Sequence, residues 1–323
     1  MRAGGFGAVP RPAAGRGPGP APRVDPGRNP QSHPDRRPCG ARRRRGRQFV
    51  TAVGGYVQVG DLKLYYEEYG EGPPVVCLHG GGPGADSRSN FRSNVGALAE
   101  RHRTLLVDLP QFGKSDKPVI VDNVLSRNAT HLHAALNELG IPRASFIGNS
   151  FGGQTAIKFA IDYPDSIDRL VVIGSNPVAR SIFSPMPVEG VKRIAEYYKG
   201  EGPTREKMRT ILQTLVYDPD YVTDEVVDSR YQASIEPDLL QLKKHPAPHR
   251  QDLSAELDRV KAPTLIIWGL DDRAGPLDVG LQMARAFANA ELHIFGKTGH
   301  WAQVERAYEF NRVVGEFFSR KES

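Results

Sequence analysis

The feature that most constrains the fold of this 323-residue chain is the segment ASFIGNSFGG, residues 144–153. Its apolar run, Ala144–Gly148, predicts a buried strand, and Phe151–Tyr163 has the pattern of an amphipathic helix. Between them, two glycines flank Ser150 in the pattern G-x-S-x-G. Glycine suits the tight, strained turn of this pattern because side chains there would collide with the neighbouring strand and helix. We therefore expect the Ser150 hydroxyl to project above a sheet. A serine in an ordinary tight turn is the alternative interpretation.

Strand-like and helix-like segments alternate along the chain from Val53 onward. Tyr56–Val59 and Leu62–Tyr69 flank Gly60-Asp61 and predict a hairpin. Short runs rich in Val, Ile and Leu suit strands that are buried on both faces of a sheet. These runs are Pro74–Leu78, Thr104–Asp108, Ala144–Gly148, Leu170–Gly174, Thr264–Gly269 and Glu291–Phe295, and the helical patterns between and after them are Ser89–Arg101, Asn123–Leu139, Phe151–Tyr163, Leu277–Ala288 and Gln303–Arg320. The order predicts an α/β fold with a mostly parallel, doubly wound sheet that opens with an antiparallel hairpin.

The alternation stops for about 75 residues after the sixth predicted strand. This segment has helical patterns at Gly190–Tyr198, Arg205–Tyr217 and Asp224–Ser234, separated by proline-rich joints, and it has no clear strand pattern. We predict that residues 176–253 form a helical cap over the sheet. Residues 51–175 and 254–323 then make up the α/β core.

The first fifty residues differ in composition from all that follows. They contain 12 Arg, 2 Asp, nine Pro and nine Gly, with neither Lys nor Glu, so their net charge is about +10. Since the whole chain is +6, residues 51–323 are net acidic at −4. A segment so poor in large apolar residues cannot offset the entropy lost on ordering, and we predict a disordered basic extension at 1–50. The run Arg42–Arg45 is a candidate nucleic-acid patch, but an extension of no defined function, or a misassigned start, is favoured.

Cysteine content and hydropathy narrow the class of protein further. Cys39 and Cys77 are too few for a disulfide framework or a metal cage, so metal and redox chemistry are disfavoured and no cofactor is expected. The sequence also lacks the apolar runs of a signal peptide or a membrane span. We expect a cytoplasmic protein with no membrane or nucleic-acid partner.

A serine hydroxyl needs a base to accept its proton, and the order of residues along the chain supplies candidates. The strand–turn–helix at Ser150 is a nucleophile elbow. In proteins with such an elbow, an acid and then a histidine are expected in loops after later strands. Asp272 follows the run Thr264–Gly269, with Asp271 as the alternative, and His300 follows the last predicted strand. His300 would act as general base and then general acid, while Asp272 would fix its tautomer.

An acyl-transfer site also needs donors for the oxyanion. The backbone N–H of Phe151, directly after Ser150, is one candidate. The glycine-rich loop His79–Gly84 (HGGGPG), directly after Pro74–Leu78, should supply the second. A phosphate-binding loop is the rival interpretation of these glycines, but the Lys-Ser/Thr ending of a P-loop is missing.

Several motifs together resemble those of the meta-cleavage product hydrolases, which have the α/β-hydrolase fold. They are HGGGPG (His79–Gly84), Asn90, GNSFGG (Gly148–Gly153), GVKR (Gly190–Arg193), WGLDDRAGPL (Trp268–Leu277) and GHWAQ (Gly299–Gln303). The resemblance covers about Val53 to Phe318 and leaves out the basic extension. It implies C–C bond hydrolysis of ring-opened catechols from aromatic or steroid degradation.

The resemblance also implies roles for individual residues. Ser150, Asp272 and His300 match the catalytic triad of the family, and Gly81 and Phe151 match its oxyanion donors. The positions that match substrate-binding residues are Asn90, Asn149, Arg230 and Trp301. Asn149 and Arg230 would hold the 2-hydroxy and carboxylate end of the substrate. From the residues alone, a solvated arginine of the cap is the favoured interpretation of Arg230.

The implied substrate is a 2-hydroxy-6-oxo-hexa-2,4-dienoate, a small anion. Ser150 has two possible roles in its hydrolysis, covalent attack or activation of water. The competing hypotheses are a carboxylesterase or lactonase on the same scaffold, and a binding or scaffold protein with a vestigial site. Dehalogenases and epoxide hydrolases with an aspartate nucleophile are disfavoured by the serine at the elbow.

Two further expectations concern the pocket and the assembly. We expect Ser234–His249 to help line the pocket for the C6 substituent. The family implies a homo-oligomer, either a dimer or a higher assembly.

Overall fold

An eight-stranded sheet runs through the part of the chain that the computed structural model describes, residues 53–178 and 180–320. Its strands are β1 (Val53–Val59), β2 (Leu62–Tyr69), β3 (Pro74–Leu78), β4 (Arg103–Val107), β5 (Ala144–Asn149), β6 (Ile167–Ile173), β7 (Thr264–Gly269) and β8 (Ala290–Phe295). They lie in the order β1-β2-β4-β3-β5-β6-β7-β8. The predicted extension at 1–50 lies outside the described residues.

The pairing of the strands confirms the predicted sheet. Strands β1 and β2 form an antiparallel hairpin in which Val59 pairs with Leu62, and Gly60 takes a φ of +57° in the turn between them. Strand β2 pairs antiparallel with β4, and every pairing from β4 to β8 is parallel. Strands β5 and β7 are buried along their whole length, as expected for mainly apolar strands that are covered on both faces.

Helices cover both faces of this sheet and fill the segment between β6 and β7. They are α1 (Ser87–Phe91), α2 (Val95–Leu98), α3 (Val124–Glu138), α4 (Phe151–Asp162), α5 (Glu189–Glu196), α6 (Arg205–Leu215), α7 (Asp224–Ser234), α8 (Pro237–Leu242), α9 (Leu277–Ala286), α10 (Ala302–Glu305) and α11 (Ala307–Ser319). Short 3₁₀ helices occupy Pro164–Ser166, Pro219–Tyr221 and Ser254–Arg259. Helices α5 to α8 follow β6, at the position predicted for the helical cap.

Two apolar cores lie on opposite faces of the sheet, as the alternation of side chains along β3 shows. Val76 and Leu78 belong to the core beneath α3, α4 and α9, whereas Val75 and Cys77 belong to the core beneath α11. Helices α5 to α7 have a separate apolar cluster that includes Tyr197, Met208 and Leu212. No helix within the described residues is long and apolar enough to cross a membrane.

The predicted single helix at Ser89–Arg101 is wrong in one respect, because the structure divides this stretch into α1 and α2. Asn94 lies between them and is fully buried. Its side-chain amide donates hydrogen bonds to the backbone oxygen of Gln303, at 2.8 Å, and to the Oδ1 of Asn311, at 2.9 Å. The tertiary contact with the C-terminal helices therefore interrupts the helix.

Candidate active site

The turn at Ser150 joins β5 to α4 and has the strained backbone that its sequence predicts. Ser150 has a φ of 53° and a ψ of −115°, and its N–H donates to the backbone oxygen of Ile173 at 2.8 Å. Such a conformation costs a non-glycine residue about 1–3 kcal/mol. A Cβ added at Gly148 would lie 2.5 Å from the Cα of Gly153, and one at Gly152 would lie 2.3 Å from the oxygen of Leu78. These close backbone approaches explain why glycines surround the serine.

His300 and Asp272 meet at the same edge of the sheet, in the loops that follow β8 and β7. The His300 Nδ1 lies 2.8 Å from the Asp272 Oδ2, and both side chains are buried, with exposed fractions of 5% and 1%. The other oxygen of Asp272 accepts the N–H groups of Ala274, at 2.7 Å, and Gly275, at 2.8 Å. A carboxylate held in this way orients the ring with its Nδ1 proton toward Asp272, so Nε2 is free to accept a proton. Asp271, the alternative acid, is exposed.

The loop His79–Gly84 packs against the start of α4. A Cβ on Gly81 would lie 3.0 Å from the Cβ of Phe151, so the backbones of the two predicted oxyanion donors are neighbours. His79 fixes this loop from below. Its Nε2 accepts the N–H of Leu109 at 3.0 Å, which leaves the proton on Nδ1, 2.8 Å from the oxygen of Gly80. Burial lowers the pKa of His79, in keeping with a neutral, structural ring.

Arg230 of α7 is a buried cation that faces this edge of the sheet. Only 5% of the residue is exposed, and burial lowers the pKa of its guanidinium. Its contacts are a long hydrogen bond of 3.5 Å to the Ser89 hydroxyl and a position 5.6 Å from the ring centre of Trp301. Among the described residues it has no ion pair with a carboxylate, and its Nε has no hydrogen-bond partner. The charge of Asp86 favours the charged form of the guanidinium but makes no direct ion pair with it. A buried cation without a directly paired carboxylate is unfavourable, and an anionic ligand would relieve that cost.

Asn149 and Asn90 lie close by, but their side chains are partly engaged with protein. The amide nitrogen of Asn149 donates to the backbone oxygens of Ile173, at 3.2 Å, and His300, at 3.4 Å. Its Oδ1 is buried without a partner. The Oδ1 of Asn90 accepts from the Nε2 of Gln303 at 3.3 Å. The free oxygen of Asn149 is therefore the atom that remains for a hydroxyl donor.

The predicted site residues other than Asp272 and Phe151 line one small cavity, which we call the inner cavity. Its volume is about 20 Å³. The inner cavity is lined by Gly80, Gly81, Gly82, Ala85, Asn90, Asn149, Ser150, Ile194, Leu215, Arg230, His300 and Trp301. A space of this size alone holds little more than one water molecule.

Known proteins share this fold and much of this sequence. Residues 73–307 match the sequence profile of the alpha/beta hydrolase fold. The chain is 42% identical over 267 residues to a 2-hydroxy-6-oxononadienedioate/2-hydroxy-6-oxononatrienedioate hydrolase of Burkholderia vietnamiensis, covering 80% of this chain and 92% of that protein. It is 39% identical to a 2-hydroxy-6-oxo-6-phenylhexa-2,4-dienoate hydrolase of Comamonas testosteroni, covering 81% and 93%. The meta-cleavage product hydrolase CumD of Pseudomonas fluorescens has a TM-score of 0.75 at 32% identity, covering 82% of this chain and 97% of that one. The chain belongs to the meta-cleavage product hydrolases.

A second, larger cavity adjoins the inner cavity of this hydrolase, and we call it the outer cavity. Its volume is about 390 Å³, and it shares Gly81, Gly82, Ala85 and Ile194 with the inner cavity. Its remaining walls come from Pro83 and Gly84, from residues 111–120, from residues 195–199 at and after the end of α5, and from residues 233–248 around α8. Residues of the segment Ser234–His249 thus line a cavity next to the predicted catalytic residues. That this cavity takes the C6 substituent stays a prediction.

Glu305 is a buried residue of the hydrolase that sequence reasoning missed. Its Oε1 accepts the N–H of Gly299, beside His300, at 2.8 Å. Its Oε2 accepts the N–H groups of Tyr217, at 2.8 Å, and Asp218, at 3.3 Å, just after α6. One carboxylate therefore ties the loop of His300 to the segment between α6 and α7. The signal for it was a lone Glu shortly after the GHWAQ motif, which is too weak to assign a role.

The change Glu305→Gln should lower kcat/KM about tenfold. An amide offers one acceptor oxygen instead of two, so N–H groups on one side of the link lose their partner at a cost of about 1–3 kcal/mol. Steady-state rates on a dienoate substrate would measure the loss. Glu309→Gln, which removes a similar charge from α11, is the matched control. Unchanged rates in Glu305→Gln would show that the link does not position His300.

The same variant should change how stability depends on pH. Burial raises the pKa of the Glu305 carboxyl above its ordinary value of 4.5. The folded protein then binds this proton more tightly than the unfolded chain, so the free energy of unfolding falls as the pH rises from 4.5 through the folded-state pKa. Denaturant unfolding of wild type and Glu305→Gln should be measured at about pH 5 and about pH 8. The free energy of unfolding of wild type, relative to that of the variant, should be lower at the higher pH.

Proposed function

We propose that this hydrolase cleaves a C–C bond in 2-hydroxy-6-oxo-hexa-2,4-dienoate ring-fission products of aromatic or steroid catabolism. The observation that supports this most strongly is the buried Arg230, which lines the inner cavity with Ser150 and His300 and makes no direct ion pair with a carboxylate among the described residues. Its planar guanidinium suits a carboxylate. The names of the relatives from Burkholderia vietnamiensis and Comamonas testosteroni agree with such a substrate.

In the proposed binding mode, Arg230 holds the carboxylate at C1 and the free Oδ1 of Asn149 accepts a hydrogen bond from the 2-hydroxyl group. Trp301, which lies beside Arg230, and Asn90 complete the pocket. The C6 carbonyl then faces Ser150, and its substituent extends into the outer cavity. Binding of an anion here replaces an unfavourable unpaired buried charge by an ion pair, so the site favours anionic substrates over neutral ones.

The chemistry begins with an electron sink, because a carbanion would otherwise form when the C–C bond breaks. The dienol loses its 2-hydroxyl proton and gains a proton at C5, which gives the 2-oxo form, and His300 is positioned to move that proton. Ser150, or a water molecule that it activates, then attacks C6. The oxyanion faces the N–H groups of Gly81 and Phe151. Cleavage between C5 and C6 consumes one water and releases 2-hydroxypenta-2,4-dienoate and a carboxylic acid.

A carboxylesterase or lactonase is the alternative, since the arrangement of Ser150, His300 and Asp272 would serve ester hydrolysis equally well. The two functions differ in their need for a carboxylate site. An esterase that acts on neutral esters gains nothing from Arg230, whereas a dienoate hydrolase depends on it.

The change Arg230→Ala should lower kcat/KM on a coloured dienoate about a hundredfold or more, because a buried charge pair is lost. Hydrolysis of a neutral aryl acetate should change only a few-fold. Loss of the dienolate absorbance and release of the phenol would report the two rates. Arg205→Ala is the matched control, since Arg205 is an exposed arginine of α6 paired with Asp224 and Asp228. If the wild type hydrolyses aryl acetates but not dienoates, the proposed function is wrong.

We further propose that the enzyme acts in the cytoplasm on a small anionic substrate and assembles as a homo-oligomer. The relatives named for catabolic dienoate hydrolysis support the substrate class and agree with that compartment. The oligomeric state is a prediction from family resemblance, and sedimentation of the purified protein would test it.

A further inference from the structure

The outer cavity differs from a purely apolar pocket in the charges along its wall. Phe112, Val119, Ile120, Leu239 and Leu242 make much of its surface apolar. Three lysines also line the outer cavity, namely Lys117, Lys199 and Lys243, and Glu236 is the one acidic residue among its lining residues. The cavity is therefore apolar with a net positive charge, which suits a ligand with a carbon chain and an anionic end.

The three lysines differ in what already surrounds them. The Nζ of Lys117 donates to the backbone oxygens of Gly113, at 2.7 Å, and Ser115, at 2.6 Å, so its amine is engaged by the protein. Lys199 is an exposed residue at the end of α5. Lys243 directly follows α8 beside Leu242, and its amine lies 5.6 Å from the ring centre of Tyr198, another lining residue.

The surroundings of Lys243 make its amine the best-placed cation for a ligand. Its side chain makes neither a hydrogen bond nor an ion pair with any described residue. Its amine lies over the ring of Tyr198. Lys243 is exposed as a residue, yet enough protein surrounds its amine to lower its pKa by desolvation. A partly desolvated cation without an anionic neighbour gains more from a carboxylate than a fully solvated one.

We propose that Lys243 is a specificity-determining residue that binds a carboxylate at the free end of the C6 substituent. The preferred substrate is then a dienedioate, and the acid released from C6 is a dicarboxylate. This inference depends on the proposed function, because it places the C6 substituent in the outer cavity. Relatives of this chain include hydrolases named for a nonadienedioate and hydrolases named for a 6-phenyl substrate. The net positive charge of the outer cavity favours a dienedioate over a 6-phenyl substrate for this chain.

The experiment compares two substrates in the full-length enzyme, 2-hydroxy-6-oxononadienedioate and 2-hydroxy-6-oxo-6-phenylhexa-2,4-dienoate. The quantity to measure is the ratio of their kcat/KM values. Wild type should favour the dienedioate. Lys243→Gln should lower the ratio about tenfold, chiefly through a higher KM for the dienedioate, because a charge-assisted contact is lost. Lys243→Arg keeps the charge and should retain most of the preference.

Lys244→Gln is the matched control, since Lys244 is the exposed neighbour whose amine donates to the Oε1 of Gln241 at 2.9 Å, and Lys244 does not line the outer cavity. Its ratio should equal that of wild type. A wild type that prefers the phenyl substrate, or a Lys243→Gln variant with an unaltered ratio, overturns the role of Lys243 and leaves the proposed function intact. Failure of wild type on both substrates overturns the proposed function itself.

Discussion

Replacement of Ser150 by alanine should lower kcat on a dienoate substrate at least about a thousandfold. Both proposed roles of Ser150, covalent attack and activation of water, require its Oγ in the inner cavity beside His300. Alanine removes that atom but keeps the backbone N–H that bonds to Ile173, and it leaves Arg230, the residue proposed to bind the substrate, in place. The variant should therefore still bind the dienoate. Stopped-flow absorbance would separate the two steps, since binding perturbs the chromophore and cleavage removes it.

The matched control for this change is Ser145→Ala. Ser145 is a buried serine near the start of β5, the strand that ends at the elbow, and its hydroxyl bonds to Asp168 at 3.3 Å. The control deletes a hydroxyl from the same strand, away from the inner cavity, and its kcat should stay within a few-fold of wild type. Turnover by Ser150→Ala within about tenfold of wild type would rule out both roles of Ser150.

The change Asp272→Asn should lower kcat by roughly 10³–10⁴-fold without unfolding the protein. The N–H groups of Ala274 and Gly275 both point at the Oδ1 of Asp272, so the asparagine keeps its oxygen there and turns its NH₂ toward His300. The Nδ1 of His300 would then have to accept a hydrogen bond, which moves the ring proton to Nε2. In that tautomer the ring cannot take a proton from Ser150.

Asp271→Asn is the control that the chain itself provides. Asp271 is the adjacent residue of the same loop, and it is exposed, whereas the side chain of Asp272 is buried against His300. The control should keep nearly full activity, and thermal unfolding of both variants should stay close to that of wild type. A large loss of activity in Asp271→Asn instead would mean that the wrong aspartate has been assigned to the triad.

The sheet could be predicted from the sequence because each strand is marked by the apolar pattern of its own few residues. Runs such as Thr264–Gly269 are apolar from Leu265 to Trp268, which suits a strand covered on both faces, and the structure buries all six residues. The division of Ser89–Arg101 into two helices could not be predicted. It depends on Asn94 reaching Gln303, 209 residues away in the sequence, and no local pattern records such a contact.

The candidate site divides in the same way. Ser150, Asp272 and His300 could be predicted as a triad because each follows a strand, in the order expected for this turn. Glu305 was missed because two of its partners, Tyr217 and Asp218, lie 88 and 87 residues before it. The orientation of the Asn149 side-chain amide could not be predicted from the sequence either. It is set by the backbone oxygens of Ile173 and His300, whose positions depend on the assembled sheet.

The link between the His300 loop and the end of α6 bears on how enzymes of this kind can be redesigned. Leu215 accepts the backbone N–H of His300 at 2.8 Å, and Glu305 holds the residues that follow α6. Grafting the whole segment 176–253 from another enzyme would disturb His300, the predicted general base, together with the pocket. The stretch from 236 to 248 lines the outer cavity instead. Mutant libraries restricted to that stretch should alter which C6 substituents the enzyme accepts. They should leave the positions of His300 and Asp272 unchanged.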